Sequence, residues 1–392
     1  MKTATKCVHW LGGDEDAYGA MVPPIYQTAT FRQPNAVEFG EYDYTRTANP
    51  TRTLLERQLA ALEEGAYAAA FASGMAATTA LVRLLDSGDE ILAGDDLYGG
   101  TVRLFERVLP RQGIKVRYVD ATDPAAVRAA ISVHTRMLLI ETPSNPLMRI
   151  ADIEALADVA HRAGAWLVVD NSMLSPCLQR PLRHGADVVI HSATKFLCGH
   201  SDVTAGALIT NDAGLYERIA FQQNAEGAGL SPFESWLLLR GLKTLALRVE
   251  RQNASAERIA EYLSRHKAVK RVFYPGLGTH PGREVHRRQA TGNGAVISFT
   301  TGDAELSRRV AESARLFAIA VSFGSVNSSI SLPCYMSHAS VPEDLRAQLG
   351  PPADLVRISV GIEDVEDLIE DLDRAFTIAA RLAERCAASI GK

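Results

Sequence analysis

A lysine stands in an unusual setting at Ser192-Ala193-Thr194-Lys195, with Gly199-His200-Ser201-Asp202 close behind. The run before it, Ala186-Asp187-Val188-Val189-Ile190, is short and apolar and predicts a buried strand. The end of such a strand is an odd place for a solvated charge. Ser192 and Thr194 flank the lysine closely enough for both hydroxyls to reach one anion. A partly desolvated lysine amine is suited to forming an imine with a carbonyl. Upstream, Ala165-Trp166-Leu167-Val168-Val169 predicts a second buried strand, which ends in Asp170. In a parallel sheet, the acid and the amine emerge together at the carboxyl ends of their strands, where open α/β sheets bind ligands. Pyridoxal phosphate requires this pair. The lysine carries it as an imine, and the acid keeps its pyridine nitrogen protonated as an electron sink.

Several elements must place these groups. From Pro50 onward, Leu54, Leu55, Leu59 and Leu62 recur at helical spacing until Glu63-Glu64-Gly65 stops the helix. Ala68-Ala69-Ala70-Phe71 then predicts a strand, followed by Ser73-Gly74-Met75-Ala76-Ala77 and a helical run. A strand, a small-residue turn and a helix start make an anion site from free backbone N–H groups, here those of Gly74 and Met75. Strands are predicted again at Ile91–Ala93, Val116–Val119 and Met137–Ile140, with a helix over Ile153–Ala163 before the Asp170 strand. That rhythm predicts a mostly parallel sheet covered on both faces, a three-layer α/β/α domain. After Thr210 the pattern changes to long helices, Phe233–Leu239 and Thr244–Tyr262. Strands and a smaller α+β unit follow, closed by an amphipathic helix over Val365–Ala387. The predicted division is an N-terminal arm over 1–50, a large domain over 51–246 and a small domain over 247–392.

Composition narrows the partners. A net charge of -5 leaves no electrostatic footprint for nucleic acid or an anionic membrane. No apolar run reaches the length of a membrane span, and the first residues lack the apolar core of a secretory signal. Five scattered cysteines without a CxxC pair predict reduced thiols in a cytoplasmic compartment. His191, Cys198 and His200 lack the spacing of a zinc site, so no metal is expected. A Rossmann-type nucleotide-binding protein with a structural Lys195 is the alternative from another class. It lacks a GxGxxG after the first strand.

The Ser192-to-Lys195 block, Gly199-His200-Ser201-Asp202 behind it and Asp170-Asn171-Ser172 before it resemble the Cys/Met-metabolism family of pyridoxal-phosphate enzymes. The resemblance runs from about Tyr18 to Phe376 and implies a fold-type I enzyme. It also implies a homotetramer with active sites shared between two subunits, acting on a small amino acid. By that resemblance, Tyr44 and Arg46 in Tyr42-Asp43-Tyr44-Thr45-Arg46 bind the cofactor phosphate across the subunit boundary. Tyr98, before Gly99-Gly100, stacks on the cofactor and is a candidate proton shuttle. Asn145, in Glu141-Thr142-Pro143-Ser144-Asn145-Pro146, lies near the pyridine hydroxyl and the substrate carboxylate. Arg357 is a charge inside the apolar run Val356–Val360 and needs a partner. An internal carboxylate is one choice, and the resemblance implies the substrate's α-carboxylate instead. Val321 and Ser322 line the distal end of the substrate. Many γ-cleaving members have glutamate at the valine position, and methionine γ-lyases commonly carry cysteine where this chain has Gly100. Val321 therefore points to β-cleavage of cystathionine, in the service of methionine biosynthesis. The alternatives are γ-cleavage of cystathionine or methionine, γ-synthesis and sulfhydrylation of homoserine esters.

Overall fold

The structure is a computed structural model that describes residues 1–9, 18–337 and 350–390, with side chains of the last helix described as far as Leu382. His338, Ala339 and Ser340, part of the stretch similar to the family, lie outside the described residues.

Seven strands form the larger sheet: β1 (Tyr67–Phe71), β2 (Glu90–Gly94), β3 (Lys115–Val119), β4 (Thr135–Glu141), β5 (Trp166–Asp170), β6 (Val188–His191) and β7 (Gly206–Thr210). Their order is β1-β7-β6-β5-β4-β2-β3. Every neighbouring pair from β6 to β3 is parallel, whereas β7 runs antiparallel to both β6 and β1. The sequence predicted β1 to β6 to within a residue or two. It assigned no strand at β7 and so missed its reversal, which a strand buried on both faces does not reveal because it reads the same in either direction.

Alternation along the strands feeds two apolar layers. Met137, Leu139 and Val168 pack on one side with Ala77, Ala80 and Leu81 of the helix Gly74–Val82. Leu138, Ile140, Leu167 and Val169 pack on the other with Ile153, Leu156 and Ala160 of the helix Ile153–Arg162. The alanine-rich β1 has weak intrinsic strand propensity. Its small side chains fit a strand covered by helices on both sides, and Ala68 to Phe71 are all buried.

A 21-residue helix, Leu245–Arg265, leads to a second sheet. This contains β8 (Arg271–Phe273), β9 (Val296–Thr300), β10 (Ala318–Ile319), β11 (Ser329–Ser331) and β12 (Leu355–Ser359), in the order β10-β11-β12-β9-β8. Leu368, Leu372 and Phe376 of the last helix join the core that backs it.

The N-terminal segment begins against the chain's own core. Thr3–Val8 forms a helix that buries Cys7 in the chain's own core, and Lys6 Nζ donates to Ala61 O at 3.0 Å. Short periodic segments of this kind lie below what sequence patterns reveal. Beyond it, Tyr18, Met21, Val37 and Phe39 are exposed. There the chain doubles back on itself through Phe31 N to Asp43 O and Thr45 N to Ala29 O. No helix among the described residues is long and apolar enough to cross a membrane.

Candidate active site

The carboxyl ends of β1, β2, β4, β5 and β6 converge on a cavity of about 470 Å³. Its lining includes Gly74, Met75, Tyr98, Asn145, Asp170, Ser192, Thr194, Lys195, Val321, Ser322 and Arg357. Eleven of the thirteen candidate residues named from the sequence therefore share one space. Tyr44 and Arg46 do not. They lie in a separate surface groove with Gly227 to Pro232, where Arg46 Nη1 donates to Asn224 O at 2.8 Å.

At one end of the cavity Ser73 caps the helix Gly74–Val82, accepting a hydrogen bond from Ala76 N at 3.0 Å. The first N–H groups of that helix have no intrahelical acceptor. A Cβ on Gly74 would lie 3.0 Å from Ser192 Cβ, so glycine lets the helix start close against the Ser192 hydroxyl. The Thr194 hydroxyl also lines the cavity and is tied to the backbone of Ala205, from which it accepts at 2.9 Å. Backbone donors, a hydroxyl and a helix N-terminus together suit a phosphate.

At the floor lies Asp170. Burial raises its carboxyl above the usual range, opposed by hydrogen bonds from Ser172 and by the charges of His191 and Lys195. Ser172 N donates to Asp170 Oδ1 at 2.9 Å, and Ser172 Oγ accepts from Ser192 N at 2.7 Å. A buried acid of this kind needs a cationic or N–H partner, which a protonated pyridine nitrogen provides. Phosphate cradle, amine and buried acid thus fit pyridoxal phosphate.

Lys195 Nζ donates to Ser322 Oγ at 2.5 Å and lies 5.1 Å from the centre of the Phe323 ring. Burial and the neighbouring Arg357 push its amine down to about 8, against the pull of Asp170 and Glu141. Near neutral pH such a lysine gives up and takes back a proton readily. Arg357, in the middle of β12, is wholly buried, which lowers its guanidinium to about 10. It donates to Asn145 Oδ1 at 2.8 Å and to Ser322 O at 2.8 Å, both neutral oxygens. Arg357→Lys keeps the charge but loses the fork. KM for the amino-acid substrate should rise about tenfold or more, one charge-assisted hydrogen bond's worth. Steady-state kinetics measures it, and an unchanged KM contradicts a substrate-binding role.

Ser322 and Gly324 both have positive φ, 81° and 87°. A Cβ on Gly324 would approach Phe196 N to 2.7 Å, so the loop lies directly against the backbone that carries Lys195. Gly324→Ala is expected to destabilise the fold by about 1–3 kcal/mol. Denaturant unfolding would show this, and an unchanged midpoint would mean that the loop has room to move.

Sequence patterns missed several supports. Arg248, on the helix Leu245–Arg265, donates to Phe196 O at 2.8 Å and to Gly241 O at 2.9 Å, anchoring the turn after Lys195. In sequence it is one more charge on a long helix. Glu141 lines the cavity beside Asp170, and burial raises its carboxyl well above the usual range. Its Oε2 accepts from Tyr98 N at 3.1 Å, which holds the start of the helix Gly99–Arg107. Gly100 leaves space for the Tyr98 ring, since a Cβ there would fall 2.3 Å from Tyr98 Cε1.

Comparison with known proteins agrees with this site. The chain is 54% identical over 361 residues to a chloroplastic cystathionine beta-lyase of Arabidopsis thaliana, covering 92% of this chain and 78% of the relative. It is 47% identical over 377 residues to a cystathionine gamma-lyase of Bacillus subtilis, covering 96% and 99%. Among solved structures, cystathionine gamma-lyase from Lactobacillus plantarum complexed with L-serine superposes with a TM-score of 0.94 at 42% identity, covering 96% of this chain and 99% of that one. The family model for Cys/Met metabolism PLP-dependent enzymes matches residues 4–377. The chain belongs to that family and, with its fold-type I architecture and phosphate cradle, is a pyridoxal-phosphate-dependent enzyme.

Proposed function

We propose that this enzyme is a cystathionine β-lyase, converting L-cystathionine and water to L-homocysteine, pyruvate and ammonia. The observation that carries the choice is Val321, 62% exposed at the cavity mouth. A carboxylate there would hold a distal ammonium or assist proton transfer at the γ-carbon, and valine does neither. The two beta-lyases of plants at 54% and 52% identity, and that of Neurospora crassa at 52%, support the same reading.

Lys195 would carry the cofactor. Gly74, Met75, Ser192 and Thr194 would hold its phosphate, and Asp170 would hold the proton on its pyridine nitrogen. Bound in this way, pyridoxal phosphate stores the electron pair left when the substrate's Cα–H bond breaks. Arg357, oriented by Asn145 and Ser322, grips the α-carboxylate and fixes which Cα bond faces Lys195. Freed when the substrate's amine takes its place, Lys195 Nζ takes the Cα proton. The Cβ–S bond then breaks, sulfur leaves with the bonding pair, and Lys195 or Tyr98 returns a proton to it. A γ-cleavage needs a second deprotonation, at Cβ. Among the described residues, the cavity's carboxyls, Glu141 and Asp170, are buried and already engaged by backbone N–H groups.

We further assign Tyr44 and Arg46 to the phosphate of a neighbouring subunit's site, within a homotetramer. Their distance from the chain's own cavity and the exposed apolar residues of the arm support this. The free cysteines at 7, 177, 198 and 334 support a reducing compartment, which we take to be the cytoplasm, and the proposed homocysteine product supports a place in methionine biosynthesis.

Comparison of kcat/KM for L-cystathionine, L-methionine and an O-acylated homoserine tests the substrate class. Cystathionine should be preferred by about tenfold or more, the scale of one hydrogen-bonding group. A preference for methionine or the ester would overturn the proposal.

A further inference from the structure

A buried polar pair lies on the face of the large sheet opposite the cavity lining. Glu63, at the end of the helix Pro50–Glu63, and His191, at the end of β6, are each 1% exposed. Glu63 Oε1 and His191 Nε2 are 2.5 Å apart. Two lone pairs would not tolerate that approach, so a proton lies between them. Asn171 Nδ2 donates to the same Glu63 oxygen at 2.8 Å, and Gln179 Nε2 donates to Asn171 Oδ1 at 3.1 Å. Glu63 Oε2 and His191 Nδ1 are buried and have no hydrogen-bond partner among the described residues. An incompletely satisfied buried pair costs stability that an apolar pair would not, so its presence calls for a reason.

The reason lies in what the pair touches. Asn171 follows Asp170 directly, and Ser192 follows His191. Ser172, one residue further on, bonds both Asp170 Oδ1 and Ser192 N. Glu63 therefore anchors two chain segments: the next residue of one, Ser172, holds the Asp170 carboxyl, and the next residue of the other, Ser192, holds Ser172.

We propose that the Glu63–His191 pair is a positioning element for Asp170, fixing the Asp170–Ser172 turn against Ser192 and keeping a proton-bearing imidazole behind the carboxylate so that it faces the pyridine nitrogen as an anion. This rests on the role given to Asp170 above. Burial alone drives Asp170 toward the neutral acid. His191 is among the groups that pull it back, after Ser172 and ahead of Lys195. Outer groups of this sort orient and tune an inner ligand without touching what it binds.

Equilibrium dialysis of the holoenzyme, with retained pyridoxal phosphate read from its visible absorbance, tests the coupling. Four proteins are compared: unaltered, Glu63→Gln, Asp170→Asn and the double variant. Glu63→Gln should weaken retention about tenfold and add less than about twofold in the Asp170→Asn background. An equal loss in both backgrounds, or none in the unaltered one, overturns the inference while leaving Asp170's role intact. If Asp170→Asn alone retains cofactor as the unaltered enzyme does, the inference is overturned, whereas the role of Asp170 itself fails only if the kcat of that variant is unaltered. Should melting curves show that Glu63→Gln does not fold, His191→Gln carries the same cycle with the same outcomes.

Discussion

Lys195→Ala is expected to lower kcat by at least about 10⁴-fold, because one atom carries two duties. In the proposed mechanism Nζ is the amine that holds the cofactor covalently, and it is also the base for the Cα proton. Its setting is prepared for both. Burial and Arg357 bring the amine down to about 8, and Ser322 Oγ holds it at 2.5 Å. Alanine leaves the surrounding turn intact, since Gly199 N still reaches the residue-195 carbonyl and Arg248 still holds Phe196 O. The variant should therefore fold with an unaltered melting curve. Borohydride reduction should no longer fix pyridoxal phosphate to the chain. Residual turnover within about a hundredfold of the unaltered enzyme would sink the assignment.

Asp170→Asn should fold and yet lose roughly 10²–10³-fold in kcat, the scale for removing one preorganised electrostatic group. Asparagine matches the shape of aspartate, and its oxygen still accepts from Ser172 N. What it lacks is the negative charge proposed to keep a proton on the pyridine nitrogen. The loss should appear in kcat more than in KM, because the contacts proposed between the substrate carboxylate and Arg357 and Asn145 are unchanged. Near-unaltered kcat would mean that Asp170 is a structural acid only.

The chemistry was legible where it sits at the ends of buried strands. Val188 to Ile190 and Leu167 to Val169 are apolar runs, and residues placed just beyond such runs stand out by contrast. Both strands form in parallel, and Asp170 pairs in register with Ile190, so amine and acid arrive at one edge. Arg357 was legible for the same reason, as a charge within an apolar strand. Glu63 was not. In Glu63-Glu64-Gly65 it has the look of a solvated helix end, and only the packing of that helix on the sheet buries it. Glu64 beside it does remain at the surface with Lys6 and Arg183. Arg248 and Glu141 were invisible because their partners are backbone atoms far away in sequence. Tyr44 and Arg46 carried no signal of their own beyond the family resemblance, and within one chain they lie apart from the cavity.

The central claim is the position of the bond that breaks, and the keto acid released from L-cystathionine by purified, cofactor-loaded enzyme reports it directly. Cleavage at Cβ–S yields pyruvate with homocysteine, the result expected from Val321 and a single mobile base at Lys195. Release of 2-oxobutyrate with cysteine would contradict it. That outcome would show cleavage at the γ-carbon and would make the reading of the Val321 rim wrong, while family and cofactor stood.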